Sequence, residues 1–300
     1  MKVPALTYII TSYNYGTFLQ ENLESLCKQW SEENEFKILI VDDGSVDNSL
    51  EIIRDFLKRY NFISLLTHPE HRNCGLVKSL TLAVNSVNTP WVSFLESDDV
   101  SSSGAVTKLS EKLDSGAGLI FWDIEPIGRT TGKDIWFDSY VPRIRREMMK
   151  INADKHPVNL DRKILEENLI PTFSCCAVKT ELLKSADFNS PVPEWIDWYL
   201  WVQICQETKI LYIDKKLVKW RLHADSFNRK KKLLEYLIKY RLFRGKIREI
   251  LFSAEIRDKY YKIAYLFLPS FVPLLVRFMK MAKYKGYRTV FNQIRWRLKK

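Results

Sequence analysis

Trp91-Val92-Ser93-Phe94-Leu95-Glu96-Ser97-Asp98-Asp99 turns from an apolar run to three carboxylates within four positions. A continuous run of β-forming residues marks a strand covered on both faces, as in parallel sheets. Carboxylates crowded at its end repel one another, and a hard divalent cation relieves that repulsion. Mg²⁺ or Mn²⁺ takes one or two carboxylates and fills its remaining sites with phosphate oxygens, so the cluster reads as a metal and phosphate site. Taken alone, it also fits a solvated acidic loop that caps the next helix.

Upstream, apolar runs occupy Leu6–Ile10, Phe36–Val41 and Phe62–Leu66. Helical spacing fills the intervals: Phe18–Trp30 with Leu19, Leu23 and Leu26, Asp47–Tyr60 with Leu50, Ile53 and Leu57, and Leu76–Val87. Alternating strand and helix predicts an α/β fold with a mostly parallel, doubly wound sheet. Such sheets bind ligands beyond the carboxyl ends of their strands, near the point where strand order reverses. Polar residues stand at those ends: Thr11-Ser12-Tyr13-Asn14 after the first run and Asp42-Asp43-Gly44-Ser45 after the second. The latter, with Asp47-Asn48-Ser49, serves a tight turn and helix cap, or a pocket in which one carboxylate meets a nucleobase N–H. The chain has no Gly-x-Gly-x-x-Gly or Walker loop, which argues against a dinucleotide enzyme or an ordinary NTPase.

With 300 residues and 46% hydrophobic content, the chain has enough material for one large domain, or for one domain plus an appendage. Its net charge of +11 is unevenly placed. Residues 1–226 hold 26 Lys+Arg and 32 Asp+Glu, a net of −6, while 227–300 hold 21 and 4, a net of +17. The basicity belongs to the tail. Five cysteines, none in Cys-x-x-Cys spacing, suit a reducing cytoplasm, and the short apolar N-terminus reads as a first strand, not a signal peptide.

Ser12-Tyr13-Asn14, Val41-Asp42-Asp43-Gly44-Ser45, Asn73-x-Gly75-Leu76-x-Lys78-Ser79-Leu80 and Phe94-Leu95-Glu96-Ser97-Asp98-Asp99 together resemble the motifs of family 2 inverting glycosyltransferases of the GT-A fold, of the bacterial polysaccharide and O-antigen type. The resemblance covers about residues 3–226. It implies that Tyr13 stacks on the nucleotide base, that Asp43 bonds the base, and that Asp98 and Asp99 hold the metal and donor, with Thr11 and Lys78 also facing the donor. Glu96 stands where the family usually has Asp. For Lys78 an exposed helical lysine is the commoner explanation.

Further on, Glu194-Trp195-Ile196-Asp197-Trp198-Tyr199-Leu200-Trp201 resembles the family's Glu-Asp-Trp-x-Leu segment, which puts Asp197 at the catalytic position. A single in-line displacement requires a base that takes the acceptor hydroxyl proton on the face opposite the leaving nucleotide. Without the resemblance, Asp197 reads as a helix cap among core aromatics. Asn168–Leu183, with Pro171-Thr172-Phe173-Ser174, resembles the acceptor-side segment. Trp220-Arg221-Leu222-His223-Ala224-Asp225-Ser226 resembles the family's Arg-x-His-x-x-Ser ending, in which Arg221 and His223 approach the diphosphate and metal.

In the tail, Leu233, Leu237, Tyr240, Ile247, Ile250 and Leu251 fit one apolar helix face, and Tyr287, Phe291, Ile294 and Leu298 fit another. The apolar run Ile263–Val276 is too short to span a bilayer. A cationic amphipathic tail suits an anionic membrane surface. The alternative is a helical bundle packed on the catalytic domain or on a second subunit of a homo-oligomer. Nucleic acid is not an expected partner, since no recognised motif accompanies the charge.

The sequence thus predicts a GT-A domain over 1–226, with a nucleotide-binding half at 1–100 and an acceptor half at 101–226, and a basic helical extension over 227–300. The expected activity is transfer of a sugar from a UDP-linked donor to a saccharide or lipid-linked acceptor, with Mn²⁺ or Mg²⁺, on the cytoplasmic face of the cell membrane. The competing reading is a non-catalytic nucleotide-sugar-binding or scaffold subunit.

Overall fold

The computed structural model describes residues 5–128, 135–223 and 238–247. In chain order its elements are β1 (Leu6–Ser12), α1 (Gly16–Cys27), β2 (Lys37–Asp42), α2 (Ser49–Arg59), β3 (Ile63–Thr67), α3 (Leu76–Ser86), β4 (Trp91–Phe94), β5 (Val100–Ser101), α4 (Ala105–Ser110), β6 (Leu119–Ile127), α5 (Ile135–Lys150), α6 (Lys163–Glu166), β7 (Cys176–Lys179), α7 (Thr180–Ser185), α8 (Ile196–Glu207) and β8 (Ile210–Arg221). All eight strands form one sheet in the order β3-β2-β1-β4-β7-β6-β8-β5.

Strands β1 to β4 pair in parallel. The apolar runs of β1, β2 and β4 are buried on both faces because helices cover each side, while the edge strand β3 is buried only at Ile63. Helix α1 buries Leu19, Leu23 and Leu26, α2 buries Ile53 and Phe56, and α3 buries Leu80, Ala83 and Val84. Helical periodicity of 3.6 residues places each of these sets on one face.

The second half departs from the mostly parallel expectation. β7 runs antiparallel to both β4 and β6, and β5 runs antiparallel to β8, while β6 and β8 are parallel. A buried strand is an uninterrupted apolar run in either direction. Its direction is set by the connections, which composition does not reveal. The sheet is therefore mixed, and the two halves of the domain share it through the β4–β7 pair.

Strand order reverses at β1, which has β2 on one side and β4 on the other. The residues following β1, β2 and β4 therefore surround one crevice.

Helix α8 is buried on nearly every side, at Ile196, Trp198, Tyr199, Leu200, Trp201, Val202, Ile204 and Cys205. Part of its cover comes from the basic tail. Residues 238–247 are helical and bury Tyr240, Phe243 and Ile247. The Phe243 ring centroid lies 4.6 Å from that of Trp198 and 5.5 Å from that of Trp195. Lys239 pairs with Glu194, and the buried Arg244 guanidinium donates to the Leu165 carbonyl at 3.0 Å. The expected apolar stripe is thus turned inward at Tyr240 and Ile247, as the bundle reading requires. Leu233, Leu237, Ile250, Leu251, the 263–276 run and the stripe from Tyr287 to Leu298 lie outside the described residues. Among the described residues no helix is long and apolar enough to cross a membrane. All five cysteines are free.

Candidate active site

The loop after β2 is built around two buried carboxylates. Asp42 Oδ2 accepts the N–H groups of Gly44, at 3.1 Å, and Ser45, at 2.9 Å, which folds the chain into a tight turn. Gly44 has φ +81, and a Cβ there would lie 2.7–2.8 Å from backbone atoms of residues 71–73, so only glycine fits. Asn14, in the left-handed region at φ 58, ties this turn to the end of β1. Its N–H donates to Ser45 Oγ at 2.9 Å, and its Oδ1 accepts the Val46 N–H at 2.8 Å.

Asp43 points the other way. Its Oδ1 accepts the Cys74 N–H at 2.7 Å and its Oδ2 the Gly75 N–H at 2.8 Å, at the entrance to α3. His68 Nε2 lies 3.4 Å from Asp43 Oδ1 and 2.9 Å from Ser79 Oγ. Asp43, His68 and Cys74 bring three potential ligand atoms within 4.8 Å of one another. With these bonds already made, the trio reads as support for the loop. Tyr13 stands 44% exposed at the crevice mouth, and Lys78 is exposed on the first turn of α3.

The acidic motif after β4 is anchored by bonds to distant residues. Ser97 Oγ donates to the Thr11 carbonyl at 2.6 Å, joining the ends of β1 and β4. The fully buried Asn22 amide donates at 2.8 Å to both the Glu96 and Asp99 carbonyls. Asp99 is also fully buried. Its Oδ1 accepts the Arg221 N–H at 2.9 Å, and its Oδ2 has no hydrogen-bond partner among the described residues. Asp98 is better exposed, and its Oδ2 lies 2.9 Å from His223 Nε2. Arg221 donates through Nε to the Asp98 carbonyl at 2.8 Å, and its guanidinium pairs with Glu21 and lies 4.9 Å from the Phe18 ring centre.

Burial pushes the Glu96 carboxyl up to about 8, helped by repulsion from Asp98 and Asp197 against the bond from Thr172. Burial, then Asp98 and Glu96, holds Asp99 well above the usual carboxylate range. The cluster is thus short of positive charge. Cis donors at about 2.1 Å from an octahedral ion lie about 3 Å apart, so the Asp98–His223 spacing suits two ligands of one divalent metal.

On the acceptor side, the Thr172 hydroxyl donates to Glu96 Oε2, and the Glu96 N–H donates to Ser174 Oγ at 2.8 Å. Glu96 is thereby turned from the Asp98–His223 pair toward Thr172 and Ser174. Asp197 lies half-buried in the first turn of α8, after the Pro193–Trp195 turn, and its Oδ2 accepts Asn168 Nδ2 at 2.9 Å.

The structure therefore gathers Thr11, Asp98, Asp99, Arg221 and His223 into one linked group, with Asp43 and Tyr13 on loops of the same crevice and Asp197 near enough to Glu96 to help raise its carboxyl. Asn22 was missed by the sequence reading, although a polar residue on the same helix face as Leu19, Leu23 and Leu26 was a visible signal. The contacts of Asn168 and Thr172 carry no such signal, because their partners are 29 and 76 residues away.

The sheet and its reversal point match the GT-A fold. The glycosyl transferase family 2 model matches residues 7–185, and the chain belongs to that family. It is 32% identical over 198 residues to a teichoic acid poly(glycerol phosphate) polymerase of Staphylococcus epidermidis, covering 64% of this chain and 25% of that protein. It is 28% identical over 191 residues to the glycosyltransferase GlyG of Streptococcus pneumoniae, covering 62% of this chain and 60% of that protein. The chain thus spans less than two thirds of the length of these curated relatives. Among solved structures, S. aureus TarS 1-349 in complex with UDP-GlcNAc matches with TM-score 0.65 at 18% identity, over 87% of this chain and 71% of that one. The mannosyltransferase PcManGT of Pyrobaculum calidifontis, in complex with GDP-Man and Mn2+, matches with TM-score 0.58 at 16% identity, over 98% and 85%. At these identities the likeness is one of fold.

Proposed function

We propose that the protein is a metal-dependent inverting glycosyltransferase that moves a sugar from a UDP-linked donor to a saccharide or lipid-linked saccharide during surface polysaccharide synthesis. The observation that carries this reading is the Asp98–His223 pair, 2.9 Å apart beside carboxyl groups that burial holds high. Asp98 and His223 would hold Mn²⁺ or Mg²⁺, which supplies charge neutralisation at the diphosphate leaving group. Asp99, buried behind them, fixes the backbone of Arg221 and supports the pair from within.

Tyr13 offers an exposed ring to the nucleobase face. Each Asp43 oxygen accepts one loop N–H and keeps lone-pair capacity for a base N–H, which uracil presents. Arg221 directs positive charge toward the diphosphate. Asp197, on the far side of Glu96, takes the acceptor hydroxyl proton while the oxygen attacks the anomeric carbon and the nucleotide leaves from the opposite face. The named complexes of TarS with UDP-GlcNAc and of PcManGT with GDP-Man and Mn2+ support the donor class and the divalent ion. The teichoic acid polymerase relative supports the polysaccharide setting. The net +17 of residues 227–300 supports a position on the inner face of the cell membrane.

The test is Asp197→Asn in the full chain, after a screen of UDP-sugars for donor hydrolysis and transfer. Transfer should fall by about 10²–10⁴ with UDP affinity retained, the usual range for removal of a general base. Unchanged transfer would remove Asp197 as the base.

A further inference from the structure

Asp197 is held by an amide whose orientation is itself fixed. Asn168 Nδ2 donates to Asp197 Oδ2 at 2.9 Å, while Asn168 Oδ1 accepts the Ile170 N–H at 3.2 Å. The backbone bond settles which end of the amide faces the carboxylate, since a flipped amide would set two acceptors against each other.

The segment that carries Asn168 is clamped from three directions. Trp198 Nε1, one residue beyond Asp197, donates to the Ile164 carbonyl at 2.6 Å. Arg244, from the tail segment, donates to the Leu165 carbonyl at 3.0 Å. Arg143, on α5, makes paired bonds to the buried Glu167 at 2.8 and 2.5 Å, a fork that fixes both position and direction. These three partners act on Ile164, Leu165 and Glu167, the last of which directly precedes Asn168. The buried segment so fixed leads into the Asn168–Asp197 bond.

We infer that Asn168 is a positioning residue for Asp197, and that the Arg143 and Arg244 contacts serve to present its amide. The inference rests on the reading of Asp197 as the base. The Asn168 bond fixes Oδ2 and with it the carboxylate rotamer in which Asp197 meets the acceptor hydroxyl. A misplaced base costs rate with no loss of donor affinity, because only the proton-transfer geometry changes.

The experiment compares Asn168→Ala, the isosteric Asn168→Asp, Asn168→Ser and Asp197→Asn in the full chain. For each, kcat, acceptor KM, UDP Kd and Tm are measured. Asn168→Ala should lower kcat about 10- to 100-fold, with acceptor KM and UDP Kd within about twofold. Asn168→Asp, which keeps the shape but sets a carboxylate against a carboxylate, should fall at least as far. Asn168→Ser, which keeps a donor, should recover part of the loss. Wild-type kcat in both Asn168→Ala and Asn168→Asp, with Asp197→Asn inactive, would overturn the positioning role and leave the base reading standing. An active Asp197→Asn would instead overturn the base reading. Should Asn168→Ala fail to fold, the isosteric Asn168→Asp and the Ser variant decide the matter.

Discussion

His223 Nε2 stands 2.9 Å from Asp98 Oδ2, although 125 residues separate them in the chain. The end of β8 is latched to the acidic motif so that this meeting is enforced. Arg221 gives its N–H to Asp99 and its Nε–H to the Asp98 carbonyl, and its guanidinium stacks beside Phe18. Phe18 also packs on the His223 ring at 5.0 Å between centroids. The motif that reads as a donor site in sequence is therefore completed only by the last strand of the domain.

Asn22 should prove a structural keystone of the acidic motif. Its amide satisfies the carbonyls of Glu96 and Asp99 from within α1. Asn22→Leu leaves both acceptors buried without that donor and should cost about 2–3 kcal/mol, read from urea unfolding. A loss under about 0.5 kcal/mol, the size of an ordinary surface substitution, would show that the amide is dispensable.

Glu96 makes the stability of the metal-free protein depend on pH. Its carboxyl, at 4.5 when unperturbed, is pushed up to about 8, chiefly by burial. The folded state thus keeps a proton that the unfolded state has released, so unfolded chains bind fewer protons across this window. Stability is fully present below about pH 4.5 and is lost as pH rises through about 8. Tm measured in chelator should fall from pH 5 to pH 8, and Glu96→Gln should flatten that slope. An equal slope in the variant would assign the effect to another group.

Phe243 ties the basic tail to the helix that carries Asp197. Its ring packs on Trp195 and Trp198, so Phe243→Ala should cost about 3 kcal/mol, in the range of large-to-small core changes. Ile238→Ala, on the exposed side of the same segment, should stay within about 0.5 kcal/mol. Equal and small effects of both would mean that 238–247 contributes no packing.

The half built on β1 to β4 was legible because its signals are local. The apolar runs before Thr11, Asp42 and Glu96 became β1, β2 and β4, and the polar ends of those strands met at one crevice, as strand topology requires. Asp98 and His223 were also readable, as members of motifs. The half that follows β4 was less so. The antiparallel course of β7 depends on connections, and the placing of Glu96 against Thr172 on a contact across 76 residues. In the tail, Tyr240 and Ile247 share a stripe that composition assigns equally to a membrane or to a core. Only the facing Trp195 and Trp198 surface shows that a core receives this part of it.

The central claim is that Asp98 and His223 hold a divalent ion against the donor diphosphate. Its most direct measurement is calorimetry of UDP binding to the full chain with and without Mn²⁺, in the wild type, Asp98→Asn and His223→Ala. The wild type should bind UDP at least about tenfold more tightly with Mn²⁺, a difference of about 1.4 kcal/mol. Both variants should lose that gain while keeping their fold. Metal-independent UDP binding in the wild type, or an undiminished Mn²⁺ effect in both variants, would contradict it.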